Sequence, residues 1–161
     1  MALFVRIDDR LIHGQVVEGW VNYLKATRIL VADDRVAANA LQRSIMEVAV
    51  PQGLTVTIGG IDEICSQVRA AGENERAILL FSNPTDVLQA LRSGLLCQSI
   101  NLGGMHYVPG KRKLRDVLSV DDADIASFRA ILARGITVCI QSVPNEKPLQ
   151  LAKVFEACSL S

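Results

Sequence analysis

The strongest constraint on the fold is an alternation of short apolar runs with amphipathic segments along the whole chain. Strand-like aliphatic runs lie at 2–7, 28–32, 54–58, 77–81, 99–102, 117–120 and 136–140. Segments with apolar residues at helical spacing lie at 14–24, 36–48, 61–71, 84–93, 121–134 and 148–157. Short connections between alternating strands and helices favour parallel strands joined by crossover helices. We therefore predict one α/β domain over residues 1–161, with a single doubly wound, mostly parallel sheet and helices on both faces.

The composition agrees with this fold and excludes several function classes. Apolar residues make up 50% of the chain and aromatic residues only 4%, so the core must be aliphatic, as suits buried parallel strands. The 17 Lys and Arg residues balance 17 Asp and Glu residues, so no net charge draws the chain to nucleic acid or anionic lipid. No apolar run is long enough for a membrane span, and Arg6 and Asp8 interrupt the apolar start before it can form a signal peptide. We expect a cytoplasmic protein with no direct membrane insertion.

The cysteines and histidines do not form a recognisable metal or disulfide pattern. The four cysteines are widely spaced without a CxxC pair, and the two histidines are far apart in the sequence. A disulfide framework is not expected in a cytosolic chain of this size. We predict no metal site and no cofactor.

A dense polar cluster, residues 6–15, follows the first strand and precedes the first helix. Ligands of open α/β sheets bind outside the carboxyl ends of the strands, which is where this cluster lies. His13 supplies an imidazole that can act as a nucleophile. Arg6 and Arg10, with the main-chain amides near Gly14 and Gln15, could hold a phosphoryl group.

A simpler interpretation of the same residues stays open. A histidine after a strand can cap a helix or face solvent, and Arg6 with Asp8 can form a surface pair worth at most ~1 kcal/mol. The density of charged groups after a buried strand favours a functional site, because burying charges without compensation is costly. In such a site we expect Asp8 or Asp9 to orient an arginine or the imidazole.

Other polar segments carry weaker signals. Residues 33–34 are expected to cap a helix, residues 59–60 to form a turn, and residues 103–104 to allow close approach of a ligand. None matches a Walker loop or a dinucleotide fingerprint. The basic residues of 111–115 are typical of a solvated hairpin face, and docking of an acidic or phosphorylated partner is the alternative.

Two other classes of protein compete for this pattern. A signalling receiver also has an acidic pair after strand one, but it needs an aspartate after strand three and a lysine after strand five. Glycine pairs, residues 59–60 and 103–104, occupy those places. A hydrolase or nucleotide-binding module could use His13 as a base, but the chain has neither a nucleophile elbow nor a phosphate loop.

Residues 6–15, Arg-Ile-Asp-Asp-Arg-Leu-Ile-His-Gly-Gln, resemble the active-site signature of one protein family. These are the IIB subunits of the mannose/fructose/sorbose family of the bacterial phosphoenolpyruvate-dependent sugar phosphotransferase system. The resemblance continues at 31–34 (Val-Ala-Asp-Asp), 101–107 (Asn-Leu-Gly-Gly-Met-His-Tyr) and 117–120 (Val-Leu-Ser-Val), and so covers essentially the whole chain.

The resemblance implies a phosphocarrier. The family's phosphorylated histidine falls on His13, with Nδ1 as the expected acceptor and Arg6 and Arg10 as the arginines around the phosphate. His13 would accept a phosphoryl group from a phosphohistidine on a IIA partner. It would pass the group to a hexose or hexose derivative entering through the IIC and IID membrane subunits, which would hold the protein at the inner face of the membrane.

The chemistry of the residues agrees with that role. Phosphoryl transfer depends mainly on positioning and electrostatics. Because no nucleotide takes part, neither a P-loop nor a magnesium site is needed. The resemblance leaves the sugar open among mannose, fructose, sorbose and N-acetylgalactosamine, and it gives His106 no required role, because residues 105–106 vary in the family.

Overall fold

The predicted mostly parallel sheet is confirmed. The computed structural model describes residues 1–161. Its strands are β1 (Ala2–Asp8), β2 (Arg28–Ala32), β3 (Thr55–Gly59), β4 (Arg76–Phe81), β5 (Ser99–Gly104), β6 (Arg112–Arg115), β7 (Leu118–Val120), β8 (Thr137–Ile140) and β9 (Leu149–Gln150). Seven of them form one sheet in the order β3-β2-β4-β1-β5-β8-β9, in which only β9 runs antiparallel to its neighbour.

Helices cover both faces of this sheet. They are a π-helix (Gln15–Trp20) continued by α1 (Val21–Leu24), then α2 (Asp34–Ala37), α3 (Ala40–Val48), α4 (Ile61–Ala70), α5 (Pro84–Arg92), α6 (Asp122–Ala133) and α7 (Leu151–Ala157). Alternate strand residues enter different apolar clusters: Leu30 and Leu79 pack with α4 to α7, whereas Ile29 and Ile78 pack with the π-helix, α2 and α3. The period of two along each strand thus creates two cores, one on each face.

Strand β1 lies in the middle of the sheet, and its position determines where the polar cluster of residues 6–15 lies. It pairs in parallel with β4 on one side and β5 on the other. Its register with β5 shifts between Ile7 and Asp8, at the end of the strand. The polar turn therefore leaves the sheet between the carboxyl ends of two neighbouring strands, where α/β proteins bind ligands.

The predicted second helix is wrong in its extent and in its buried face. Residues 36–48 belong to two helices, because Asn39 begins a new one. Its side-chain oxygen accepts from the Gln42 N–H group and so caps α3. Only Met46 of α3 is buried. The apolar stripe expected to face the core is exposed: Leu41, Ile45 and Val48.

The C-terminal part of the chain also differs in detail from expectation. A two-residue strand, β9, precedes the last helix, which begins at Leu151 rather than at residue 148. The basic residues of 111–115 lie on the antiparallel β6–β7 hairpin, as expected for a hairpin face. Lys111 binds Asp124 and Lys113 binds Asp116.

All four cysteines are free, and none of the helices has the length and apolarity that crossing a membrane requires.

The start of α6 is stabilised by a reciprocal cap that makes a stability prediction possible. The Asp121 carboxylate accepts from the Asp124 N–H group at 2.8 Å, and the Asp124 carboxylate accepts from the Asp121 N–H group at 3.1 Å. The bond from the Asp124 main chain is the main reason that the pKa of Asp121 lies below its usual value. A lowered folded-state pKa stabilises the protein above the unfolded-state pKa, and this stabilisation is lost as the pH falls through the folded-state pKa.

We therefore expect Asp121→Ala to lower the free energy of unfolding at neutral pH by ~1 kcal/mol. The difference from wild type should shrink as the solution is acidified through the titration of Asp121. Urea unfolding at neutral and acidic pH measures both effects. Asp122→Ala, which removes an exposed carboxylate but no cap bond, is the matched control, and an equal loss in that variant would contradict the explanation.

Candidate functional site

The chain turns sharply between the end of β1 and the first helix. The Leu11 N–H group donates to the Asp8 carbonyl at 2.9 Å, and Leu11 adopts a left-handed φ of 56°, which is costly for a leucine. The helix that follows opens as a π-helix, a rare geometry that is frequent at functional sites. His13 lies between these two irregular segments, so its position depends on contacts that hold the turn.

Asp8 is the central contact of the turn. Its side chain is fully buried, and one carboxylate oxygen accepts from the Arg10 N–H group and from Arg10 Nε, each at 3.2 Å. The other oxygen accepts from Arg6 Nη2 at 3.0 Å and lies 3.6 Å from His13 Nε2. Asp8 thus contacts both arginines and lies next to the imidazole.

Arg6 is buried, which differs from its expected place beside a phosphoryl group. Its guanidinium group is 0% exposed and lies 5.3 Å from the centre of the Trp20 ring. Besides Asp8, it donates to the Asn101 side chain and to the carbonyls of Gln141 and Ser142. Both terminal guanidinium nitrogens are hydrogen-bonded inside the protein, and only Nε has no partner. Arg6 can therefore influence the surface of the turn only through its contact with Asp8.

The electrostatics of Arg6 follow from this burial. Desolvation lowers the pKa of Arg6 from its ordinary value, and the adjacent Asp8 carboxylate opposes the shift. Arginine nevertheless stays charged in proteins. The buried Arg6–Asp8 pair is therefore a fixed ionic unit under the turn, and Arg6 ties β1 to β5 and to the segment that follows β8.

Arg10 is the arginine that reaches the surface. Its side chain is 39% exposed, and its Nη2 donates to the Gln15 side-chain oxygen at 2.9 Å. Asp8 on one side and Gln15 on the other hold the guanidinium group in one orientation. Its Nη1 has no partner within the protein, so this nitrogen is free to donate to phosphate oxygens.

The two nitrogens of His13 have different surroundings. Nδ1 lies 2.9 Å from the Leu11 carbonyl oxygen, and Nε2 faces Asp8 without a hydrogen bond. The side chain is 16% exposed, so solvent or a partner can reach it. The N–H groups of Gly14 and Gln15, which follow directly, donate to no acceptor within the protein. These free donors lie at the start of the π-helix, where main-chain N–H groups favour anions.

Asp9 contacts the second histidine and makes no side-chain bond to Arg6, Arg10 or His13. Its carboxylate accepts from the His106 N–H group and from His106 Nδ1, both at 2.6 Å. Sequence reasoning missed this contact and the Asn101, Gln141 and Ser142 partners of Arg6. Asn101 lies within β5, and Gln141 and Ser142 directly follow β8. The parallel pairing of β1, β5 and β8 was the signal that could have brought them near Arg6.

Side chains at the neighbouring strand ends complete this edge. Asp33 caps α2 as predicted, because its carboxylate accepts from the N–H groups of Arg35 and Val36. Its other oxygen accepts from the Ser82 hydroxyl group at 2.7 Å. Both carboxylate oxygens of Asp33 thus accept hydrogen bonds within the protein, which gives this residue a structural role.

Comparison with known proteins identifies the family. Residues 2–160 match the model of the family described as the phosphotransferase system (PTS) sorbose subfamily IIB component. The chain belongs to this family. It is a sugar-specific IIB component, and such components take part in phosphotransfer during sugar uptake.

Relatives of this IIB component carry names for several sugars. The N-acetylgalactosamine-specific phosphotransferase enzyme IIB component 2 of Escherichia coli K12 is 35% identical over 93% of this chain and 96% of its own length. The sorbose-specific EIIB component of Klebsiella pneumoniae is 33% identical over 91% of this chain and 90% of its own. The mannose-specific EIIAB component of E. coli K12 is 37% identical over 91% of this chain but only 46% of its own length.

Solved IIB structures have the same fold. The crystal structure of the IIBSor domain of the sorbose permease from K. pneumoniae superimposes with a TM-score of 0.90 at 31% identity, over 98% of both chains. The N-acetylgalactosamine-specific IIB component 1 from E. coli gives a TM-score of 0.88 at 30% identity, over 94% of this chain and 99% of that one. Both alignments thus cover more than nine tenths of this chain.

Proposed function

We propose that this IIB component carries a phosphoryl group on His13. The observation that supports this most directly is the arrangement around the imidazole. An exposed guanidinium group (Arg10) and two unused main-chain donors (Gly14 and Gln15) lie in the same turn as His13, and Asp8 backs it from the interior. These are donors for the charge that spreads over a transferring phosphoryl group.

We propose Nδ1 of His13 as the acceptor atom, as the family resemblance implies. A nucleophilic nitrogen must present a lone pair, so Nδ1 has to leave the Leu11 carbonyl oxygen that lies 2.9 Å away. The other nitrogen, Nε2, then carries the proton, and the Asp8 carboxylate, which lies 3.6 Å from Nε2 before the ring moves, favours that tautomer. Docking of the phosphodonor would thus be accompanied by rotation of the ring.

The two arginines take different roles in this proposal. Arg10 contacts the phosphoryl oxygens, together with the N–H groups of Gly14 and Gln15. Arg6 acts from the interior, because its guanidinium group is fully buried and holds Asp8 in place. No nucleotide, metal or other cofactor is needed for transfer between two histidines.

The proposed partners are a IIA phosphodonor and the IIC and IID membrane subunits. A relative whose name combines IIA and IIB supports the first, because this chain matches less than half of that longer protein. The final acceptor is a hexose or hexose derivative; relatives are named for N-acetylgalactosamine, mannose and sorbose. Such a chain would work at the inner face of the membrane, held there by the transporter subunits.

A labelling experiment tests the phosphocarrier. The protein is incubated with labelled phosphoenolpyruvate, the general phosphotransferase proteins and a IIA protein, and the linkage is then examined. A phosphohistidine is lost in acid and survives base. Label that is acid-stable, or that appears without IIA, would contradict the proposal.

The role of Arg10 predicts a kinetic effect without loss of fold. Lysine keeps the positive charge, but its single ammonium group replaces the several N–H donors of the guanidinium group. The side-chain contacts of Arg10 with Asp8 and Gln15 are lost as well. We expect Arg10→Lys to slow phosphoryl transfer by ~10- to 100-fold while thermal unfolding changes little.

Quenched-flow measurement of the rate of phosphoryl transfer from phosphorylated IIA tests this effect. Arg134→Lys is the matched control, because Arg134 is exposed at the end of α6 and its side chain makes no hydrogen bond or ion pair. Equal rates in the two variants would remove Arg10 from the phosphate site.

A further inference from the structure

His106 holds both oxygens of the Asp9 carboxylate. The His106 main-chain N–H group donates to Oδ2 and the imidazole Nδ1 lies 2.6 Å from Oδ1, so the side chain adds a second bond to one the backbone already makes. The Asp9 N–H group in turn donates to the Gly104 carbonyl at 3.0 Å. The loop after β5 is therefore attached to the turn after β1 by three hydrogen bonds.

The turn needs such attachment, because its geometry is strained. Leu11 adopts a left-handed conformation that leucine disfavours, and the first helical residues form a π-helix. Asp8 fixes the inner side of the turn, through Arg6. Asp9 fixes its outer side, through His106. Arg10 is the next residue, so its main chain lies directly beyond both anchors.

The proton on His106 is defined by its partner. A carboxylate oxygen 2.6 Å from Nδ1 requires N–H on that nitrogen, whether the ring is neutral or charged. The other nitrogen, Nε2, has no partner in the protein, and the side chain is 56% exposed. Asp9 is the only group bonded to the imidazole. A Cβ atom on Gly104 would lie 3.7 Å from His106 Cε1 and 3.9 Å from Arg10 Nη2 and Asp8 Oδ1, so these three groups surround Gly104.

We propose that His106 is a positioning residue for phosphoryl transfer. Its imidazole Nδ1–H holds Asp9, and through Asp9 it fixes the turn that places the Arg10 guanidinium group beside His13. This inference rests on the proposed function of His13. It assigns a role to a residue that the sequence resemblance leaves without one.

Three substitutions separate this role from simple packing. In His106→Asn the side-chain amide N–H can lie where Nδ1–H lies, whereas in His106→Gln it is displaced by one bond. His106→Ala removes the donor. The main-chain bond to Asp9 persists in all three, so any difference among them reports the side-chain donor alone.

We expect His106→Ala and His106→Gln to slow transfer from phosphorylated IIA by about tenfold or more, as a displaced catalytic group does. His106→Asn should stay within about threefold of wild type, a difference below 1 kcal/mol. The loss should be in the maximal rate rather than in the concentration of IIA at half-maximal rate, because His106 orients Arg10 and does not bind the donor. Asp9→Ala combined with His106→Ala should be no slower than either single variant.

The outcomes distinguish this inference from the proposed function. Wild-type rates in His106→Ala, equal losses in the Ala and Asn variants, or an effect on half-saturation alone would overturn the positioning role. In each of those cases one acid-labile phosphate per chain still leaves the His13 proposal intact. Conversely, label that persists in a His13 variant would remove the proposed function itself.

Discussion

His13→Ala is expected to take up no acid-labile phosphate from phosphorylated IIA, whereas the wild-type chain takes up one phosphate per molecule. The reason is chemical: methyl cannot replace the imidazole nucleophile, and the oxygens of Asp8 and Asp9 are committed to arginine and histidine partners. The substitution should not unfold the protein, because the ring is partly exposed and its only hydrogen bond is to the Leu11 carbonyl.

Controls make this loss interpretable. His13→Gln keeps a polar side chain of similar length without a nucleophilic nitrogen, and it should also remain unlabelled. Circular dichroism and thermal unfolding report whether both variants are folded. His106→Ala should reach the same one phosphate per chain as wild type, only more slowly. Stable labelling of the His13 variants would place the phosphate elsewhere and refute the assignment.

Local features of the fold could be predicted because they act within a few residues. The segment predicted at 84–93 forms α5 (Pro84–Arg92), with Asn83 as its cap and Gly94, at a φ of 95°, just beyond its end. Strand β2 has its predicted bounds. The orientation of α3 could not be predicted in the same way, because the periodic stripe of Leu41 and Ile45 does not reveal how a helix is seated on a sheet.

For the candidate site, too, the location could be predicted from the sequence but the partners of its residues could not. Its location at the carboxyl end of β1 follows from strand order and local polarity, which sequence patterns carry. The environment of Arg6 depends on Asn101, which is 95 residues away, and that of Asp9 depends on His106, which is 97 residues away. Such contacts arise only once parallel strands align, so a charged residue on a strand cannot be assigned to the surface or the interior from its own segment.

The burial of Arg6 makes a glycine on the neighbouring strand indispensable. A Cβ atom at Gly103 would lie 1.9 Å from Arg6 Nη2 and 2.1 Å from Arg6 Cζ, far inside any tolerated contact. A flexible arginine could move aside at the surface. Here the guanidinium group is fully buried and donates to four acceptors, so displacing it would break the contact that compensates the buried Asp8 charge.

We therefore expect Gly103→Ala to lower the free energy of unfolding by about 3 kcal/mol, from overpacking and a disrupted buried ion pair together. Phosphoryl transfer should fall as well, because Asp8 loses the partner that fixes it under Arg10 and His13. Gly104→Ala is the matched control: a Cβ atom there meets its nearest neighbours at 3.7 to 3.9 Å, which is ordinary contact.

Denaturant unfolding of the two alanine variants decides the matter, because both add one methyl group to adjacent residues of β5. A difference of several kcal/mol in the free energy of unfolding would show that the space above Gly103 is reserved for the Arg6 guanidinium group. Equal stability would mean that Arg6 can leave its pocket at little cost. In that event the interior role proposed for Arg6 would be wrong.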